Sequence, residues 1–121
     1  MTKAQDTWLA GLLEGEGTFC PHRTKRKRKY GTYIASQVRV QIQMCDRDVM
    51  ERVAKLFGSN LLGPYEGKGR GFSEINRLPF WVVSAVGQKA KRVIKLVRPY
   101  MGERRKKQIL DMLKEEGSWR E

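Results

Sequence analysis

The sequence predicts an α+β domain with the element order αββαββα, and three observations carry that reading. An unbroken alternation of polar and apolar residues over Gln37–Met44 marks a half-buried β-strand. Four stretches of helical character, at Trp8–Gly17, Asp46–Gly58, Gln88–Val97 and Met101–Glu116, are set off by capping, glycine or proline signals. Between them the strand-like segments come in pairs, so hairpins alternate with helices. With 121 residues, the chain is expected to form a single domain spanning 1–121.

Residues 1–5 read as a short leader. The first helix, Trp8 to Gly17, is expected to be capped at its start by Asp6 and ended by Gly17 in a left-handed turn. Gly11 and Gly15 each cost about 1 kcal/mol relative to alanine inside a helix, yet they sit four apart and share one face. Such a face lets another backbone approach closely. Leu9, Leu12 and Leu13 can bury the remaining sides. Glu14 and Glu16 fall in the last turn, where carboxylates oppose the helix dipole by roughly 0.3–1 kcal/mol each. Stability alone does not explain them. If the glycine face packs on a copy of itself, two Glu16 side chains converge and call for a counter-ion, and oxygen ligands of this kind suit hard divalent cations. A solvated pair of surface acids is the alternative.

A strand is expected from Thr18 to about Arg28. It carries the run Arg23-Thr24-Lys25-Arg26-Lys27-Arg28-Lys29, in which six of seven residues are cationic. Because the run lies between apolar segments, it reads as an exposed hairpin tip, with Tyr30-Gly31 at the turn. On the next strand, period two puts Val38, Val40, Ile42 and Met44 on the core face. Gln37, Arg39, Gln41 and Gln43 project oppositely, and their side chains can contact adenine or guanine edges in a major groove. An ordinary half-solvated strand is the competing reading.

Asp46 is most simply the cap of a helix whose core positions are Val49, Met50, Val53, Leu56 and Phe57, closed by Gly58. Leu61–Tyr65 and Leu78–Val86 read as the third and fourth strands. Between them, Gly67-Lys68-Gly69-Arg70-Gly71 opens no helix and so lacks the context of a nucleotide-binding loop. It reads as a cationic loop gripping a phosphate backbone through Lys68 and Arg70. The helix Gln88–Val97 turns Ala90, Val93, Ile94 and Val97 inward and is stopped by Pro99. The final helix has an apolar stripe of Ile109, Leu110, Met112 and Leu113. Its cationic start, Arg104-Arg105-Lys106-Lys107, opposes the dipole, so something negative should lie nearby.

The formal charge of +12, from 25 Lys+Arg against 13 Asp+Glu, points to a polyanion, with nucleic acid ahead of a membrane surface. No long apolar run, signal peptide or lipidation motif supports a membrane partner. Cys20 and Cys45 lack metal spacing and read as reduced core thiols of an intracellular protein. One histidine, His22, leaves no material for a zinc site.

The stretch Leu9-Ala10-Gly11-Leu12-Leu13-Glu14-Gly15-Glu16-Gly17, followed by Thr18 and Phe19, resembles the signature of the LAGLIDADG homing endonucleases, with glutamate at both acidic positions. The resemblance implies a four-stranded, saddle-shaped antiparallel sheet with helices on one face, and a signature helix at the interface of two such units. It implies Mg²⁺ or Mn²⁺ at Glu16, with the Gly15 carbonyl as a backbone ligand. It implies an interface through Leu9, Gly11, Leu12 and Gly15, and a polar residue, Gln43 or Asp46, that positions water. A basic residue near the scissile phosphate would be Arg104 or Arg105.

One copy of the signature is present, so the second is expected from another subunit. The leading expectation is a homodimeric, metal-dependent DNA endonuclease acting on a long, near-palindromic duplex. Arg23, Lys25, Arg26, Lys27, Arg28, Gln37, Arg39, Gln41, Gln43, Lys68 and Arg70 would hold the DNA. A DNA-binding regulator without cleavage and an RNA-binding intron maturase are the alternatives.

Overall fold

The computed structural model describes residues 2–66 and 78–120. Helix α1 (Lys3–Glu16) starts earlier than expected, because Thr2 and Gln5 form a capping box. The Thr2 hydroxyl accepts from the Gln5 amide at 3.1 Å, and the Gln5 side chain accepts from the Thr2 amide at 2.8 Å. Residues 3–5 are thus helical rather than a leader, and Asp6 lies within the first turn instead of capping it. Gly17 also departs from expectation, being extended (φ −77°, ψ 152°) rather than left-handed. A Cβ there would lie 2.7 Å from the Leu13 carbonyl oxygen, so glycine lets helix pass into strand without a loop.

Strands β1 (Gly17–Arg28) and β2 (Gly31–Met44) form one long antiparallel hairpin, in register from Gly17↔Ile42 to Arg28↔Gly31. Helix α2 (Arg47–Phe57) ends at Gly58, whose φ of +69° is the expected left-handed stop. Strands β3 (Leu62–Tyr65) and β4 (Phe80–Val86) follow; Leu78 lies outside the strand it was expected to open. Helix α3 (Gln88–Val97) runs into a 3₁₀ turn around Pro99, and α4 (Glu103–Glu115) closes the expected αββαββα order. A further strand, β5 (Gly117–Arg120), pairs with β2 at Tyr33–Ser36. It takes up backbone that β4 leaves open, since β4 reaches only Arg39–Met44.

All strand pairs are antiparallel, and the sheet order is β1-β2-β4-β3 with β5 beside β2. Directly opposed residues share a face, so register and burial together identify the two sides. Phe19, Val38, Val40, Ile42, Val83 and Ala85 are buried on one side with Leu9, Leu13, Met50, Phe57, Val93 and Ile109 from the helices. Among the described residues, no helix packs on the opposite side. Leu110, expected in the apolar stripe of α4, is instead 40% exposed.

Candidate nucleic-acid face and metal centre

The last turn of α1 separates its two acids. Glu14 is half-buried, and its carboxylate accepts from the Gly102 N–H at 3.3 Å, at the cap of α4. A Cβ on Gly102 would lie 2.9 Å from Glu14 Oε1, so a larger residue there would make the carboxylate shift. An acid at this positive helix end is favourable, and it answers the cationic start of α4. Glu16 is exposed, and among the described residues no hydrogen bond or ion pair engages its carboxylate. Gly11 and Gly15 are exposed as well, with nothing within 4 Å of where a Cβ would stand. Ala4 and Thr7 continue this small-residue stripe along the helix, while Leu12 beside it is half-buried. Leu9, expected at the same interface, is fully buried in the chain's own core, because its position faces the sheet.

The two arginines proposed for catalysis behave differently. Arg104 is exposed. Arg105 is 8% exposed, donates through Nε to the Glu14 carbonyl at 3.2 Å and through a terminal nitrogen to Gln108 Oε1 at 2.9 Å, and lies 5.6 Å from the Phe19 ring centroid. Arg105 therefore closes the carboxyl end of α1, with its guanidinium committed to that end of the helix rather than open as the Arg104 side chain is. Its charge satisfies one of the terminal carbonyls that no helical N–H can reach.

The open face of the sheet carries Gln37, Arg39, Gln41 and Gln43, as the alternation predicts. Arg39 donates to Cys20 Sγ through Nε at 3.3 Å and through a terminal nitrogen at 3.0 Å. Ser84 Oγ donates to Gln41 Oε1 at 3.0 Å, which holds that amide by its oxygen end. The cysteines are accordingly not core thiols: Cys20 is half-buried under Arg39 on the open face, and Cys45 is exposed. Gly17 pairs with Ile42, so Gln43, one residue on, sits at the same end of the sheet as Glu16. Asp46 is exposed at the cap position of α2, with no capping bond from its side chain.

Strand alternation divides the polycation. Arg26 faces the same side as its partner Tyr33, and Arg28 lies 5.0 Å from that ring, both on the open face. Arg23, Lys25 and Lys27 fall on the helix-bearing face, where Arg23 pairs with Glu115 of α4. The five cations expected to hold DNA therefore do not share one face. Thr18, His22 and Ser84 share the open face but were not singled out from the sequence; period two along β1 would have found the first two. Lys68 and Arg70 lie outside the described residues.

Among the described residues no three His, Cys, Asp or Glu side chains cluster as a metal site. Glu16 next to the open carbonyls of a helix end nonetheless offers hard oxygen donors, which fit half of a divalent-cation site better than a whole one. No helix among the described residues is long and apolar enough to cross a membrane.

No protein-family model matches the chain, and no curated protein is similar to it in sequence. Solved structures are similar to it in fold. The homing endonuclease I-CvuI, in complex with the I-CreI target in the presence of Mg, superposes with a TM-score of 0.61 at 14% identity, over 92% of this chain and 65% of that one. The group I intron-encoded homing endonuclease I-CeuI, complexed with DNA, gives 0.61 at 16% identity, over 93% of this chain and 54% of that one. Meganuclease I-SmaMI, bound to uncleavable DNA, gives 0.60 at 23% identity over 90% of this chain and 35% of that one. The chain thus spans between about a third and two thirds of the proteins it resembles. In architecture this chain has the fold of the LAGLIDADG homing endonucleases.

Proposed function

We propose that this chain is one half of a homodimeric, divalent-metal-dependent DNA endonuclease that makes a double-strand break at a long, near-palindromic site. The observation that carries the proposal is the pairing of an exposed Glu16, whose carboxylate no other described residue engages, with an open Gly11/Gly15 stripe on the same helix. Small residues let two copies of α1 approach closely, and that contact delivers two carboxylates to a two-fold axis. The likeness to homing endonucleases bound to DNA supports duplex DNA as the ligand. The charge of +12 supports it independently, because neutralising phosphates releases counterions and drives association.

In the dimer, Glu16 and the Gly15 carbonyl of each subunit would hold Mg²⁺ or Mn²⁺, as neighbours crystallised with Mg or Ca suggest. A divalent cation at such a site supplies Lewis acidity and activates water for phosphodiester hydrolysis. Arg104, exposed on the first turn of α4, stands to stabilise charge on the scissile phosphate. Gln43, at the Glu16 end of β2, would orient the attacking water. The 12 residues of β1 span about 40 Å at roughly 3.3 Å per residue, on the order of ten base pairs of duplex. Two sheets related by a two-fold axis would then cover about two helical turns, which matches a palindromic target.

Cleavage of a plasmid carrying a site selected from a random duplex library, with and without Mg²⁺, tests the reading on wild type and Glu16→Gln. Wild type is expected to linearise the plasmid only with metal, and Glu16→Gln to bind without cutting. Equal cutting by both removes Glu16 from the chemistry; tight, metal-independent binding with no nicking makes the protein a regulator instead.

A further inference from the structure

The open face is not uniformly polar. Val82 opposes Gln43 and therefore lies on that face, and Leu62 of β3 pairs with Val82 in turn. Tyr65 pairs with Phe80, their ring centroids 5.5 Å apart. Leu62 is 47% exposed and Tyr65 44%, while Phe80 and Val82 are half-buried. An apolar strip thus borders the row of Gln37, Arg39, Gln41 and Gln43, on the side of the sheet that the helices leave open.

Solvent alone would favour polar residues at these positions, as it does on β2. The occupant has to be one that also suits the cationic and amide row beside it. A duplex fits both, because the major groove presents hydrogen-bonding edges and a single kind of apolar group, the C5-methyl of thymine. Position narrows this further. Val82 lies next to Gln43 and hence at the Glu16 end of the sheet, whereas the cationic tip of the β1–β2 hairpin lies at the far end.

We propose that Leu62, Tyr65, Phe80 and Val82 read thymine methyl groups in the base pairs nearest the centre of the target, while Gln37 and Arg39 of β2 and the arginines of the hairpin tip contact the outer ones. The proposal rests on the DNA-endonuclease reading and adds a chemical preference to it: thymine close to the axis in each half-site.

Uracil in place of thymine removes the methyl and leaves base pairing intact. The full chain is titrated, in Ca²⁺, with duplexes of its selected site in which single thymines are replaced by uracil. Near the centre each replacement is expected to weaken binding about fourfold, the ~0.8 kcal/mol of one buried carbon group. Under the hairpin tip the change is expected to stay within twofold. Val82→Asn should abolish the penalty at one central position and leave the others. Sequence-specific binding with no uracil effect at central positions overturns the methyl readout alone. Failure to bind any duplex overturns the endonuclease reading as well. A Val82→Asn change in oligomeric state marks the strip as a protein contact and also overturns the proposal.

Discussion

Adjacent arginines on α4 should separate cleanly by assay. Arg105→Met keeps an apolar stem of similar length but removes the bonds to the Glu14 carbonyl and to Gln108. A hydrogen bond from a charged donor is worth about 1.5–3 kcal/mol, and the acceptor lost here is the carbonyl of half-buried Glu14. The Gln108 bond is discounted because Gln108 is exposed, and the contact over Phe19 adds about 0.5–1 kcal/mol. Since methionine recovers some packing, the net loss is expected to be about 2–3 kcal/mol. That corresponds to a fall in Tm on the order of 10 °C for a domain of this size. Arg104→Ala touches no such contact and should leave stability within about 0.5 kcal/mol, while cleavage falls steeply. Urea unfolding at one fixed protein concentration measures the first effect, because dimer stability depends on concentration. Plasmid cleavage measures the second. An Arg105→Met protein as stable as wild type would refute the assignment of that side chain to the end of α1.

Three other outcomes follow from the same geometry. Gly15→Leu fills an open position on α1 and is expected to yield folded monomers by analytical ultracentrifugation, with double-strand cleavage lost; a variant that stays dimeric and active removes the glycine stripe from the interface. Arg26→Ala should lower the slope of log K against log salt by about 0.9, the loss of one phosphate contact, whereas Arg23→Ala, tied to Glu115, should leave the slope unchanged. Equal effects would mean that the strand alternation does not sort these cations. Glu16→Gln is expected to bind its site in Ca²⁺ as wild type does, so a loss of affinity comparable to the loss of cleavage would mark Glu16 as structural.

Where periodicity was strong, the sequence was sufficient. Over Gln37–Met44 the two faces of β2 read as expected, because one buried face imposes strict alternation, but the strand begins six residues earlier, at Gly31, where cations and polar residues blur that pattern. Gly58 and α3 were equally legible from local signals. The misses came where a local signal competed with another. Asp6 attracted the helix start, yet the reciprocal Thr2–Gln5 capping box prevailed. Gly17 suggested a left-handed stop, but close contact with Leu13, not a positive φ, is what demands glycine there. Among the candidate site residues, the motif singles out Glu16, Gly11 and Gly15, which the structure leaves exposed, while Arg104 and Arg105 cannot be told apart from the sequence alone. Their difference lies in tertiary contacts with α1 and β1, which no window of the sequence contains. The polycation was visible as a run, but its division required the register of β1 against β2.

That division and the separate fates of Glu14 and Glu16 share one cause. Glu14 is turned to the cap of α4, whose glycine at 102 leaves room for it, and Arg105 ties the adjoining carbonyl. These contacts fix the last turn of α1 from one side and consume the first acid doing so. Two residues on, Glu16 lies on a different side of the helix and escapes every such contact among the described residues. A carboxylate held on a rigid turn, yet left without a partner, is unfavourable in the isolated chain, since it opposes the helix dipole and gains nothing in return. The cost becomes reasonable if the missing partner arrives with the second subunit and the duplex. Rigid support for Glu16 then comes from Glu14 and Arg105, so of two acids close in sequence one is spent on holding the helix end and the other is left exposed.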